Sequence, residues 1–215
     1  MTVLTRTGLS LVVLVSATTA LPADRPDWHG RTMAIAIYPP SSLEKVGAGA
    51  EILTGATGVS VDSAEPGAGL RAQDAIEDSA VRVARALFLA AQAQYSVVAA
   101  PDITVRPLAD RHDLARVGQG VDLVLDITSS SNMVQRPFSK HFSVTTNMTG
   151  RVIDVHSGKQ INDSFCQEKS SGDPDPFTYE ELTANNAARL KAVLAQQADA
   201  CLEKFKVKVL DIAPH

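Results

Sequence analysis

Few residues in this sequence have the types and spacing that chemistry requires. The string Gly67-Ala68-Gly69-Leu70-Arg71-Ala72 fits the G-x-G-x-x-A pattern of dinucleotide sites. Such a site needs a strand directly before it, and Glu65-Pro66 occupies that position instead. The histidines show neither the H-x-x-x-H nor the H-E-x-x-H spacing of zinc sites: His29, His112, His141, His156 and His215. The sequence therefore predicts no cofactor and no metal.

Two other chemical patterns are incomplete. Asp173 and Asp175 resemble the start of a calcium loop, but Thr178 stands where that loop needs Gly and Ala184 where it needs Glu. A helix capped by Thr178 explains this segment better. The G-x-S-x-G elbow of serine hydrolases does not occur. We therefore predict no catalytic residue, and the alternative is a secreted hydrolase whose Ser, His and Asp meet only in space.

The segment 133–142 has the composition of a binding loop. It interleaves basic and aromatic side chains, and we predict that five of them contact a partner: Arg136, Phe138, Lys140, His141 and Phe142. Arginine and aromatic residues are enriched at protein interfaces, and the basic charge suits an acidic or glycan partner. The alternative is an ordinary connection between strands whose phenylalanines enter the core.

The amino terminus indicates export. Arg6 precedes an apolar stretch over residues 9–17, and Ala20 offers a small residue for cleavage. This pattern is typical of a signal peptide, here residues 1–20, and the apolar stretch is too short to span a bilayer. We therefore expect a periplasmic or secreted protein that is cleaved after Ala20.

Cys166 and Cys201 are the only cysteines. An even count in an oxidising compartment predicts a disulfide between them. The helical period places Cys201 on the same face as Leu194 and Phe205, so a bond to the strand carrying Cys166 would join helix to sheet. Closing a loop of about 36 residues stabilises a protein by roughly 3–4 kcal/mol.

Composition and charge exclude several classes of protein. The chain has 215 residues, of which 45% are hydrophobic and 20% charged, as in globular rather than disordered proteins. The net charge of −4 gives no basic surface for nucleic acid. No apolar run reaches 18 residues, so we expect no membrane-spanning helix.

Hydrophobic periodicity predicts eight elements in the order β-α-β-α-β-β-β-α. Helices are predicted at 74–95, 108–117 and 178–206, and strands at 32–38, 96–105, 120–128, 141–155 and 160–167. Asp74 would cap the first helix, and Pro101 would bend the second strand or confine it to an edge. Strand–helix–strand units favour parallel crossovers, whereas 141–167 forms a hairpin. The predicted fold class is therefore α/β (α+β), with helices packed on a mixed sheet.

The domain organisation follows from these elements. We expect a polar leader at 21–31 and a single domain over 32–212. Residues 41–73 are predicted to be a Gly/Ala-rich insertion without aromatic residues, either a long loop or a segment that packs closely against a partner. Residues 129–140 are predicted to be a polar connection between strands.

Two short strings resemble a group of bacterial periplasmic domains. VIDVHSGKQI at 152–161 resembles a hairpin with a hydrophobic residue, Asp, three variable positions, Gly and Lys or Glu, and GVDLVL at 120–125 resembles the strand before that hairpin. The group includes the amino-terminal domain of the Tol-system protein TolB and the curli-export channel lipoproteins. The resemblance implies a non-enzymatic envelope protein that acts through protein contacts. It assigns no functional residue, and the missing lipid-bearing cysteine argues against a channel.

We therefore predict an exported, non-enzymatic envelope protein that binds other envelope proteins or assists assembly or secretion. The alternatives are a secreted hydrolase and an inhibitor or immunity-type protein with one cognate partner.

Overall fold

A mixed β-sheet organises residues 27–41, 43–46, 75–170 and 177–213, which the computed structural model describes. Within these residues the strands are β1 Thr32–Ile37, β2 Leu43–Val46, β3 Val98–Ala99, β4 Ile103–Thr104, β5 Leu123–Gln135, β6 His141–Asp154, β7 Lys159–Lys169 and β8 Phe177–Thr178. The helices are α1 Ser79–Tyr95, α2 Arg111–Val117 and α3 Tyr179–Lys208. The predicted α/β class is confirmed.

Several predictions fall outside the described residues. These are the signal peptide, most of the leader and of the Gly/Ala-rich insertion, the glycine pattern at 67–72, the Asp74 cap, and Asp173 and Asp175. Within the described ranges, no helix has both the length and the apolar character that crossing a membrane requires.

Strand β1 lies inside the sheet. It pairs in parallel with β5 on one side and with β3 and β4 on the other. β2 lies beside the far end of β5, β6 and β7 continue the sheet as antiparallel strands, and β8 pairs with the end of β6. The chain between β1 and β3 contains α1, and the chain between β4 and β5 contains α2. The direction of the connections therefore reverses at β1.

Helices cover both faces of the central strands because their side chains alternate between two cores. α1 and α3 share one core with Met33, Leu123 and Leu125. The single buried residue of α2, Leu114, packs on the opposite face with Ala34 and Val124. The strand predicted at 120–128 thus contributes side chains to both cores.

Helix α1 begins later than the predicted residue 74. Asp78 caps it, since its carboxylate accepts a hydrogen bond from the Ala80 N–H at 2.9 Å. Capping satisfies a donor that the helix itself cannot pair. The predicted strand 96–105 is divided into β3 and β4, and Pro101 lies between them at the edge of the sheet. This is the bend that a proline without an N–H predicts.

Two predicted connections contain strands. The prediction of a polar connection at 129–140 is wrong, because β5 continues to Gln135. Its apolar alternation stops where a buried polar network replaces it: Ser131 Oγ lies 3.1 Å from Thr146 Oγ1, which donates to Gln197 Oε1 at 2.7 Å. The prediction that 41–73 lacks regular structure is also wrong at its start, where β2 buries Leu43 against the same end of the sheet.

Helix α3 begins as predicted and is interrupted once. Thr178 caps it as predicted and forms a capping box with Glu181. Ala184 leaves the helical region and the next three residues have positive φ, so the prediction of an unbroken helix is wrong there. Asn185 and Asn186 tolerate such a backbone better than Ala187 does. Ala187 is fully buried with Leu190, so packing holds the break in place.

A disulfide joins Cys166 of β7 to Cys201 of α3, with the Cα atoms 5.6 Å apart. Both cysteines belong to the core shared by α1, α3 and the sheet. The last helix is therefore covalently attached to the last long strand, as the helical position of Cys201 predicts.

Candidate functional site

A tight turn closes the β5–β6 hairpin within the predicted binding segment. The Arg136 N–H donates to the His141 carbonyl at 3.0 Å, and the Ser139 N–H donates to the Arg136 carbonyl at 3.2 Å. Gln135 Nε2 also donates to the Ser139 carbonyl at 2.8 Å. These bonds fix the backbone of the tip, and with it the directions in which its side chains project.

Phe138 is the most unusual residue of this turn. Its φ is +59°, and its side chain is fully exposed (108%). The φ of Pro137, the residue before Phe138, is fixed near −65° by its ring. A proline followed by a residue with positive φ is typical of a type II turn, whose third residue is usually Gly or Asn. A left-handed backbone costs a non-glycine residue roughly 1–2 kcal/mol. Phe138 therefore carries both a backbone cost and an exposed aromatic ring.

The other predicted contact residues divide into two sets. Lys140 is exposed, and Arg136 and His141 are half-buried beside the turn. Phe142 is 4% exposed, because it packs in the core with Leu43 and contacts the Tyr179 ring at a centroid distance of 5.9 Å. The assignment of Phe142 to a contact surface is thus wrong. We call Arg136, Phe138, Lys140 and His141 the hairpin tip.

A charged side chain also stabilises the base of the hairpin tip. Lys45 Nζ lies over the Tyr179 ring, 4.5 Å from its centroid, and 5.8 Å from the centroid of Phe142. Such cation–π contacts are worth about 0.5–2 kcal/mol. Strand β2 and the start of α3 therefore pack against the end of the hairpin from which Phe138 projects.

The two strings that resemble periplasmic domains meet in space as a polar network. Asp122 accepts hydrogen bonds from the Thr32 N–H at 2.7 Å and from His156 Nε2 at 2.9 Å. Asp154 pairs with Arg31 and accepts from the Ser157 N–H at 2.8 Å. The network fastens the start of β1 to the β6–β7 turn, so these aspartates have a structural role.

The Asp122 and Asp154 network should make stability depend on pH. Hydrogen bonds from His156 and then Thr32 lower the pKa of Asp122 to about 2. Burial opposes ionisation of Asp154, but the bonds from Arg31 and Ser157 still lower its pKa to about 2. An unfolded Asp titrates near pH 4, so this stabilisation is present above pH 4 and lost as the pH falls to 2.

We expect the free energy of unfolding to fall by about 1–2 kcal/mol per carboxylate between pH 5 and pH 2, measured by urea denaturation. Asp154→Asn should reduce this pH dependence. Asp113→Asn is the matched control, since Asp113 pairs with Arg116 on an exposed helix surface. An equal pH dependence in all three proteins would contradict the role of the network.

A second candidate site is a cavity of about 540 Å³ at the carboxyl end of β1. Its central group, which the sequence did not predict, is a buried ion pair in which Arg151 Nε donates to Asp126 Oδ2. Arg151 Nη2 also donates to the Ala109 carbonyl at 3.3 Å. Burial, followed by the charge of Asp126, raises the pKa of Tyr38, so its phenol stays protonated. The sequence feature that could have indicated this pair is the aspartate, Asp126, within the otherwise apolar run LVLDIT.

Two histidine contacts bear on the hydrolase alternative. His141 Nδ1 lies 2.9 Å from Ser139 Oγ, and His156 Nε2 contacts Asp122, but the Ser157 hydroxyl donates to Asp154. The first contact pairs a serine with a histidine and the second pairs a histidine with an aspartate, so each contains two of the three groups of a Ser-His-Asp set. Among the described residues, no hydrogen bond from a third group completes either set.

One cluster of metal-ligand atoms occurs in the described ranges. The ligand atoms of Cys166, Glu168 and Cys201 lie within 4.8 Å of one another. Both sulfurs are bonded to each other, so only Glu168 offers a ligand. A single carboxylate does not make a metal site.

Comparisons with known proteins find likenesses in structure only. No protein-family model and no curated protein sequence matches the chain. A DUF330 protein from Xanthomonas campestris is 14% identical, with a TM-score of 0.37 over 83% of this chain and 86% of its own. A lipoprotein from Neisseria meningitidis is 12% identical, with a TM-score of 0.30 over 77% and 99%. The PelC dodecamer from Paraburkholderia phytofirmans is 14% identical, with a TM-score of 0.30 over 83% and 95%.

These likenesses assign neither a family nor a function to this chain, since all three TM-scores are below 0.5. Membership of the group that includes TolB-like and curli-export domains stays a prediction from the sequence.

Proposed function

We propose that this chain is an exported, non-enzymatic envelope protein that acts by binding other proteins, as an assembly or secretion accessory factor. The hairpin tip is its contact surface, and the partner presents an acidic segment. Arg136, Lys140 and His141 supply basic groups around one aromatic anchor, Phe138. Interfaces of this kind gain most of their affinity from a few such residues.

The state of Phe138 is the observation that carries the proposal. A fully exposed aromatic ring gains nothing from the core, and its left-handed backbone costs stability. Unfavourable backbone of this kind is found where function requires a defined side-chain position. Since hydrogen bonds fix the backbone of the turn, they fix the direction in which the Phe138 side chain leaves it, and such preorganisation favours binding.

Export rests on the cysteines and the amino terminus. Disulfides persist in the periplasm and outside the cell, and the structure pairs Cys166 with Cys201. The signal-like pattern at residues 1–20 supports the same compartment. Intact-mass analysis of the native protein should show a chain that begins at Leu21. A native protein that retains residue 1 would contradict export by this route.

Phe138→Gly separates binding from stability. Glycine accepts the left-handed backbone, so this variant should be more stable than the wild type by about 1 kcal/mol while capture of the partner is lost. The measurements are urea denaturation and cross-linked affinity capture from the envelope fraction. Wild-type levels of capture by Phe138→Gly would contradict the proposal.

A photoreactive aromatic amino acid at position 138 locates the contact directly. We expect cross-links from position 138 and none from position 165, where Phe165 is also exposed (54%) but lies on β7. Cross-links from both positions would indicate nonspecific adhesion and contradict the site. A single partner that dissociates very slowly would favour an inhibitor or immunity-type protein over an accessory factor.

A further inference from the structure

The cavity near Asp126 lies where open α/β sheets bind ligands. Such sites form outside the carboxyl ends of parallel strands, at the point where the strand order reverses. β1 is that strand here, and Tyr38, the first residue after it, lines the cavity. The other walls come from the start of α1, the segment before α2 and the middle parts of β5 and β6. At about 540 Å³, the cavity is within the usual size range of small-molecule sites.

One carboxylate oxygen inside this cavity lacks a partner. Asp126 is 2% exposed, and its Oδ2 accepts from Arg151. Its Oδ1 is buried and accepts no hydrogen bond of normal geometry from any described residue, although the Tyr38 phenol is near enough for hydrogen bonding to the Asp126 carboxylate to contribute to the raised pKa of Tyr38. A buried acceptor without a donor costs about 1–3 kcal/mol. A ligand that brings an O–H or N–H group to Oδ1 recovers this free energy.

The charges around Oδ1 favour a neutral donor over a cation. Arg151 already balances the charge of Asp126. The amino terminus of α1, which adds partial positive charge, also borders the cavity. Asp78 is the other carboxylate in the wall, and it is already engaged by the Ala80 N–H and the Ser129 hydroxyl, each at 2.9 Å. An ammonium group would therefore meet Arg151 without an unengaged carboxylate to balance it.

Apolar residues form much of the cavity lining, and one of them has a left-handed backbone. Leu108 has a φ of +65° and is fully exposed (101%), and the rim also includes Pro39, Pro40 and Pro107. These side chains offer apolar surface to a ligand and have no hydrogen-bonding groups of their own. The lining thus combines mainly apolar side chains with two buried polar atoms that lack a partner, Asp126 Oδ1 and Ser41 Oγ. Apolar walls with a few polar groups are usual in small-molecule sites.

We propose that this cavity binds a small, neutral, mainly apolar molecule whose hydroxyl or amide donor pairs with Asp126 Oδ1. The site is separate from the hairpin tip and adds a ligand to the proposed protein-binding role. Specificity comes from Asp126, which selects the donor, and from Arg151, which excludes cations.

Three aromatic probes of similar size test the proposal: benzyl alcohol, its isomer anisole without a donor, and benzylammonium. Each is titrated into the ¹⁵N-labelled protein, and amide shifts are followed by NMR. We expect saturable shifts around Val81, Ala109 and Ile127, with benzyl alcohol binding roughly fivefold more tightly than either other probe. Equal binding of anisole, or tighter binding of benzylammonium, would overturn the selection by Asp126. Absence of saturable shifts would mean that solvent alone satisfies Oδ1, which also overturns the proposal.

Variants that fill the cavity test its location. Val81→Phe places a larger side chain in the wall and should abolish the shifts, while Leu89→Phe is the matched control on the exposed side of α1. If Val81→Phe fails to fold, Thr149→Phe fills the same cavity from an exposed position on β6. Undiminished binding in a folded cavity-filling variant would overturn the assignment of the site.

Discussion

Replacing Arg151 with Met while Asp126 remains should lower the free energy of unfolding by about 3–5 kcal/mol. Asp126 is buried in β5, and Arg151 on the neighbouring strand β6 is its counter-charge. Without the guanidinium group, folding must either hold an unpaired carboxylate in the interior or protonate it. Both alternatives are costly at neutral pH.

Asp126→Asn should cost less than Arg151→Met, because the Arg151 side chain is 22% exposed and can turn toward water. The double variant Asp126→Asn/Arg151→Met should be more stable than the sum of the single losses predicts, since no charge is then left unpaired. Urea denaturation of the four proteins at pH 7 gives the coupling free energy. Strict additivity would contradict an energetically important pair.

Removing the disulfide should have the second largest effect. We expect Cys166→Ala/Cys201→Ala to lose roughly 3–4 kcal/mol, because the covalent loop restricts the unfolded chain. For a protein of this size, that loss corresponds to a decrease in Tm of roughly 10 °C. Both sulfurs lie in the core with Phe205, so the alanines also leave a small void.

Reduction provides the control for this variant. Dithiothreitol should lower the Tm of the wild type by nearly the same amount and leave the Tm of the double alanine variant unchanged. A wild type whose disulfide is shown to be reduced and whose Tm is nevertheless unchanged would show that the covalent loop contributes nothing to stability. The same experiment separates the loss of the bond from the loss of packing, because only the alanine variant has the void.

The predictions from sequence succeeded where one local signal specifies one structure. Thr178 and Glu181 are three residues apart and form the capping box, and the helical position of Cys201 predicts its orientation toward β7. Apolar alternation located the start of β5, but it could not locate the end. Beyond residue 128, Ser131 satisfies its hydroxyl through Thr146, a residue whose position only the tertiary structure defines.

The sites show the same division between local and tertiary information. The composition of 133–142 indicates a surface segment, yet only the turn geometry distinguishes exposed Phe138 from buried Phe142. The Asp126–Arg151 pair depends on the register of two strands, in which these residues are directly opposite. The alternation of apolar residues shows which face of a strand a side chain occupies, but it does not show which residue of the neighbouring strand lies opposite.

The interior position of β1 has a consequence for a chain that emerges amino end first. Thr32 finds its Asp122 partner 90 residues later, so a nascent polypeptide exposes a hydrophobic strand until β5 has left the ribosome. Native folding of the sheet is therefore delayed until most of the chain exists, because long-range pairing comes slowly. A chain truncated just before β5 should aggregate, because the edge of β1 that pairs with β5 is then unpaired.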